Sequence, residues 1–114
     1  MGILAAGQVV LVPFPFSDLS RSKMRPAVVL AESGRDDWIL CQITSNPYGD
    51  SQSIILSAQD FSEGGLRMTS FARPGKLFTA NQSLVADTVG TLNKPAFNNL
   101  LEAIIHFFEE NLTR

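Results

Sequence analysis

Two apolar, β-branched runs, Lys23-Met24-Arg25-Pro26-Ala27-Val28-Val29-Leu30 and Ile39-Leu40-Cys41-Gln42-Ile43-Thr44-Ser45, flank the polar turn Glu32-Ser33-Gly34-Arg35-Asp36. Runs of this kind pair as an antiparallel hairpin, and a turn centred near Gly34–Arg35 sets residues whose numbers sum to about 69 opposite one another. Arg25 and Thr44 meet that condition. A permanently charged guanidinium and the hydroxyls of Thr44 and Ser45 are thereby expected at one end of the hairpin. Guanidinium forks bind phosphate oxygens two at a time, and hydroxyls can donate to the remaining ones.

The rest of the chain reads as more short strands. Gln8–Val12 is expected to stop at Pro13 and Pro15, Ser53–Ser57 follows the turn-like Asn46-Pro47-Tyr48-Gly49-Asp50, and Leu66–Ala72 follows the Gly64-Gly65 pair. Leu77–Thr79 and Thr88–Leu92 complete the set. Short apolar runs bounded by Gly, Pro, Asn and Asp predict a mainly β protein, a small and partly open barrel. The last segment changes period. Asn93-Lys94-Pro95 is a helix start. Phe97, Leu100, Leu101, Ile104, Ile105 and Phe108 recur at helical spacing beyond it, so a C-terminal helix should lay Phe97, Leu100, Ile104 and Phe108 across the barrel as a lid.

With 114 residues and no visible linker or repeat, residues 1–114 are expected to form one domain. A net charge of −2 supplies no global attraction for nucleic acid, so any such contact needs a local basic patch. Arg21, Lys23 and Arg25 recur every second residue in the polar segment Pro13–Met24, which is either a solvated loop or a phosphate-binding stripe. The N-terminus lacks the basic start of a signal peptide, and no apolar run is long enough to span a bilayer, so a soluble, cytoplasmic protein is expected.

Several chemistries are excluded or disfavoured. His106 is the single histidine, on the polar side of the helix among Glu102, Glu109 and Glu110, so a catalytic histidine pair is ruled out. Cys41, the single cysteine, alternates with Ile39 and Ile43 and reads as core packing. No metal-ligand cluster or nucleotide-binding glycine loop is present, and no metal or cofactor is expected. Arg25, Thr44, Ser45 and Arg73 remain. Each has an ordinary explanation alone: a surface ion-pair partner, a strand threonine, a rim charge at the end of a strand before Pro74. Their conjunction suits cleavage of RNA by its own 2′-hydroxyl. There the nucleophile belongs to the substrate, and the protein orients the backbone and stabilises the phosphorane.

The chain resembles the PemK/MazF-type toxins of bacterial toxin–antitoxin pairs. The resemblance rests on Gly7-Gln8-Val9-Val10-Leu11-Val12-Pro13-Phe14-Pro15-Phe16-Ser17-Asp18, Lys23–Leu30, Gln42-Ile43-Thr44-Ser45, Gly65-Leu66, Ser70–Leu77 and Val89-Gly90-Thr91-Leu92, in order over about eighty residues. It implies an SH3-like barrel with a C-terminal helix, acting as a homodimer with a separately encoded antitoxin. It also implies a metal-independent, sequence-specific endoribonuclease that leaves a 2′,3′-cyclic phosphate on single-stranded mRNA. Arg25 and Thr44 would be its central catalytic groups, and Arg73 its second phosphate-contacting arginine. Arg21, Lys23, Ser45 and Lys76 would complete the RNA contacts. Two positions depart from the family pattern: Gly75 and Gln8 stand where acidic residues are usual. Two rival readings share the fold. One is a catalytically impaired relative that binds RNA or antitoxin; the other is a gyrase-inhibiting toxin of the CcdB type.

Overall fold

The computed structural model describes residues 3–15 and 22–113. Seven strands run β1 (Gln8–Pro15), β2 (Ser22–Gly34), β3 (Asp37–Thr44), β4 (Ile54–Leu56), β5 (Phe61–Gly64), β6 (Ser70–Asn81) and β7 (Asp87–Leu92), and helix α1 (Lys94–Glu109) follows. They form one antiparallel sheet in the order β4-β6-β3-β2-β1-β7-β5, curled into a half-barrel whose edges do not join.

The central hairpin has the expected register. Ala27 lies opposite Gln42, Val28 opposite Cys41 and Val29 opposite Leu40, and irregularities shift the pairing only nearer the turn. That turn is Arg35-Asp36, with φ of 55° and 66°. Positive φ at both central residues gives the mirror-image turn whose twist matches the flanking strands. Both sheet faces are covered, which explains why Ala27–Leu30 is continuously apolar rather than alternating. One face packs Val28, Cys41, Ile43 and Leu56 against α1; the other packs Val10, Val12, Val29, Leu40 and Trp38 with Leu4 and Val85.

Four expectations need correction. β1 does not stop at Val12 but continues through Pro13 to Pro15. Its pairing with β7 ends at Leu11, so both prolines lie where β1 has a single neighbour and a missing N–H is tolerated. Leu66–Ala72 and Leu77–Thr79 are not two strands. β6 is continuous, and a bulge sets Arg73, Pro74, Gly75 and Lys76 opposite Gln42 alone. Such a bulge accepts a proline inside a sheet, and it means that Arg73 sits within a strand rather than closing one. β5 was not anticipated from the sequence, because Phe61-Ser62-Glu63-Gly64 has one large apolar residue.

The fourth correction concerns the helix. Asn93 caps it, its side chain accepting from the Ala96 N–H at 2.9 Å, and Pro95 lies in the first turn as expected. Ala96, Leu100 and Ile104 are buried on the sheet. Phe108, however, is 57% exposed and is not part of the lid. Its neighbour Phe107 turns onto β6 instead, over Gly75. Ile105, Phe108 and Leu112 are left as an exposed apolar stripe. Among the described residues no helix is long and apolar enough to cross a membrane.

Candidate functional site

The β2–β3 ladder stops at Ala27–Gln42, so beyond it the two strands part. Arg25 and Thr44, the next residues on the same diagonal, both line the cavity that opens there, about 530 Å³ in volume. Lys23, Arg25 and Pro26 come from β2, Thr44 and Ser45 from the end of β3, and Leu66, Arg67 and Met68 from the loop between β5 and β6. Three of the lining residues are cationic and none is acidic. In a chain of net charge −2, this is the local basic patch that anion binding requires.

Local chemistry fixes each wall. Arg25 is held opposite Val12 by the β1 ladder, half-buried, with Lys23 two residues before it. Thr44 is 5% exposed. Its Oγ1 donates to the Asn46 carbonyl at 3.0 Å and accepts from the Asn46 N–H at 3.2 Å, closing a local turn. A hydroxyl has one proton to donate, so Thr44 reaches a phosphate as a donor only by releasing that carbonyl. Ser45, one residue on, is exposed.

The far wall depends on glycine. Gly64 pairs with Gly90 across β5 and β7. Gly64 has φ of +59°, and a Cβ there would overlap the Val89 carbonyl oxygen. On Gly90 a Cβ would lie 2.8 Å from the Gly65 nitrogen and 2.9 Å from the Glu63 oxygen. Two bare backbones are what allow this close approach, and it carries Leu66–Met68 over the cavity. Ser70 Oγ then donates to the Met68 carbonyl at 3.1 Å, fixing the end of the loop.

Arg73 and Lys76 are not in this cavity. They line a second one of about 360 Å³ with Tyr48, Gly49, Asp50, Gly75 and Phe107. Arg73 Nε donates to Asp50 Oδ2 at 2.9 Å, and the guanidinium holds the Asp50 carboxyl below the usual carboxylate range. The segment 45–50 joins the two cavities: Ser45 lines the first, Tyr48 to Asp50 the second.

Of the residues singled out from the sequence, the structure thus brings Lys23, Arg25, Thr44 and Ser45 together and sets Arg73 and Lys76 apart. Arg21 lies outside the described residues. Arg67 and Met68 were missed because Leu66–Ala72 reads as a strand; the signal that could have found them was the adjacent Gly64-Gly65 pair, which starts a loop. Cys41 is fully buried, and its Sγ donates to the Arg73 carbonyl at 3.2 Å. Burial pushes its thiol up to about 12. His106 is exposed beside Glu109 and Glu110 on the helix. Among the described residues no group of three or more His, Cys, Asp or Glu side chains is arranged to hold a metal.

A curled seven-stranded sheet, a single capping helix and a basic cavity at the parting of the central hairpin define a class of small, partly open β-barrel proteins. The profile of PemK-like, MazF-like toxins of type II toxin–antitoxin systems matches residues 5–108, and the chain belongs to that family. No curated protein matches it in sequence. Among solved structures, the MazE–MazF complex of Deinococcus radiodurans is similar, with a TM-score of 0.74 at 15% identity, over 96% of this chain and 98% of that one. An endoribonuclease in complex with its cognate antitoxin from a mycobacterial species gives 0.72 at 14% identity, over 96% of each chain. The Mycobacterium tuberculosis toxin MazF-mt6 gives 0.65 at 17% identity, over 88% of this chain and 96% of that one. At such identities these likenesses describe the fold.

Proposed function

We propose that this toxin is a metal-independent, sequence-specific endoribonuclease that cuts single-stranded mRNA. The observation that carries the reading is the acid-free cavity where Lys23, Arg25 and Arg67 converge beside Thr44 and Ser45. A scissile phosphodiester in it meets positive charge on both walls. The adjacent 2′-hydroxyl loses its proton to water as it attacks phosphorus in line, the bond to the 5′-oxygen breaks and that oxygen takes up a proton, and a 2′,3′-cyclic phosphate remains. Arg25 neutralises the phosphorane and shares in proton transfer; Lys23 and Arg67 hold flanking phosphates. Thr44 turns its hydroxyl from the Asn46 carbonyl to a non-bridging oxygen, and Ser45 supports it. An arginine is a weak proton carrier, with a pKa above about 12, so electrostatic stabilisation supplies most of the acceleration. Arg73 and Lys76 serve the same strand at the second cavity.

The partners follow the same physics. An acidic, partly disordered segment of a separately encoded antitoxin would cover the basic cavity; that proteins of similar fold are solved in complex with an antitoxin supports the existence of such a partner. The exposed stripe Ile105, Phe108 and Leu112 supports a homodimer. The expected location is the cytoplasm, where the mRNA is. The test is incubation of the purified protein with a long RNA in EDTA, followed by mapping of cut sites and ends. Discrete cuts bearing 2′,3′-cyclic phosphates are expected, and 2′-deoxy substitution at a cut site should block it. A requirement for magnesium would overturn the mechanism.

A second reading, RNA binding without cleavage, is favoured by one observation. Gly75 carries no acid, and the Phe107 ring lies over it. Tight RNA binding with no product would select it.

A further inference from the structure

We propose that Tyr48 is a stacking platform for one unpaired base of the RNA, seated at the second cavity; the proposal rests on the RNA reading above. Tyr48 is the chain's single tyrosine and is 77% exposed. Its backbone is strained: φ is +53°, followed by +76° at Gly49. The Asp50 N–H donates to the Pro47 carbonyl at 2.9 Å, so Pro47–Asp50 is a turn with the φ signs of the mirror-image type. The first central position of such a turn ordinarily takes Asn, Asp or Gly. A tyrosine there weakens the turn, and exposure returns no packing for it. At Arg35, which has a similar φ, the β2–β3 ladder closes the turn; on Tyr48 the strain falls on an exposed ring outside any strand pairing and points outward, to a ligand.

The surroundings anchor the backbone that carries the ring. On one side the Tyr48 N–H donates to Asn46 Oδ1 at 2.9 Å, and Asn46 is itself tied to Thr44 Oγ1. On the other side Asp50 is clamped by Arg73. The ring is therefore carried on a short, anchored loop that begins at the first cavity and ends at the second. Asp50 and Arg73 compensate each other, which leaves Lys76 as the net charge of the second cavity. One net cation and one aromatic ring lining the same cavity match one phosphate and its base. Every base has a π-face, so such a contact adds affinity without choosing sequence.

The test compares wild type, Tyr48→Phe and Tyr48→Asn for binding to short 2′-O-methyl oligoribonucleotides of mixed sequence, which cannot be cut. Tyr48→Phe should keep the affinity. Tyr48→Asn should lose roughly tenfold, the ordinary effect of removing one stacking ring, while its Tm rises because Asn suits the turn. With an oligonucleotide made abasic at successive positions, one position should abolish the difference between wild type and Tyr48→Asn. Equal affinity of Tyr48→Asn and wild type would overturn the proposal. So would a fall in Tm, or a Tyr48→Asn protein that keeps oligonucleotide affinity but loses binding to polyglutamate, which would mark a surface for an acidic protein. If wild type bound no oligonucleotide, the RNA reading and the stacking proposal would fall together; if wild type binds and Tyr48→Asn matches it, only the stacking falls.

Discussion

The ring of Phe107 fills the space that a side chain on Gly75 would enter: a Cβ at Gly75 would lie 3.0 Å from Phe107 Cζ and 3.3 Å from Cε1. The glycine and the ring thus depend on each other across β6 and α1. Gly75→Asp is expected to destabilise the fold by about 1 kcal/mol, and the cost should vanish in a Phe107→Ala background. A double-mutant cycle by urea denaturation reads this coupling directly.

Arg25→Ala should abolish RNA cleavage, by about 100-fold or more, since it removes the main charge facing the developing phosphorane. Arg25 is half-buried at the cavity rim, so circular dichroism and Tm should change little. Cleavage at an undiminished rate would remove Arg25 from the mechanism.

The Arg73–Asp50 pair predicts a signature at acid pH. Asp50 titrates lower in the folded protein than in the unfolded chain, chiefly because Arg73 donates to it. The pair's stabilisation is therefore fully present above the unfolded carboxyl value of about 4, and is lost as pH falls through the folded value. Asp50→Asn should cost about 1 kcal/mol at pH 7, and nothing once wild-type Asp50 is protonated. Chemical denaturation at neutral and strongly acid pH measures the difference.

Gly90→Ala tests the far wall. Its methyl group would meet the Glu63 oxygen and the Phe61 ring of β5 and the Gly65 nitrogen just beyond it, all within 2.9 Å. A loss of about 2 kcal/mol or more is expected, because strands must separate rather than a side chain rotate. Cleavage should also fall at temperatures where the variant remains folded, since Arg67 and Met68 move with the loop.

Cys41 should resist thiol reagents in the native state. It is fully buried with a thiol pushed up to about 12, and only the thiolate reacts. Labelling with a disulfide reagent should follow global unfolding and reach the free-thiol rate only in denaturant.

Much of this architecture can be read from local signals. The register of β2 and β3 follows from two β-branched runs and one turn, and the helix start from Asn93 and Pro95. Both are decided within a dozen residues. What could not be read depends on distant partners. Pro74-Gly75 looks like a strand end until β3 is there to accept a bulge. Phe107 and Phe108 are adjacent on the helix, and only the bare backbone of Gly75 selects Phe107. The meeting of Arg25 with Thr44 was legible because one hairpin contains both. The separation of Arg73 from them was not, since it depends on where the bulge turns its side chain.

An incompletely closed sheet ends on two edge strands, whose unpaired backbone groups invite fibrous self-association. Here those strands are Ile54–Leu56 and Phe61–Gly64, three and four residues long. Neither offers enough ladder to template an incoming chain. The longest strand, Ser22–Gly34, lies inside the sheet, and where β1 runs past its pairing with β7 it carries Pro13 and Pro15, which offer no N–H to an incoming chain.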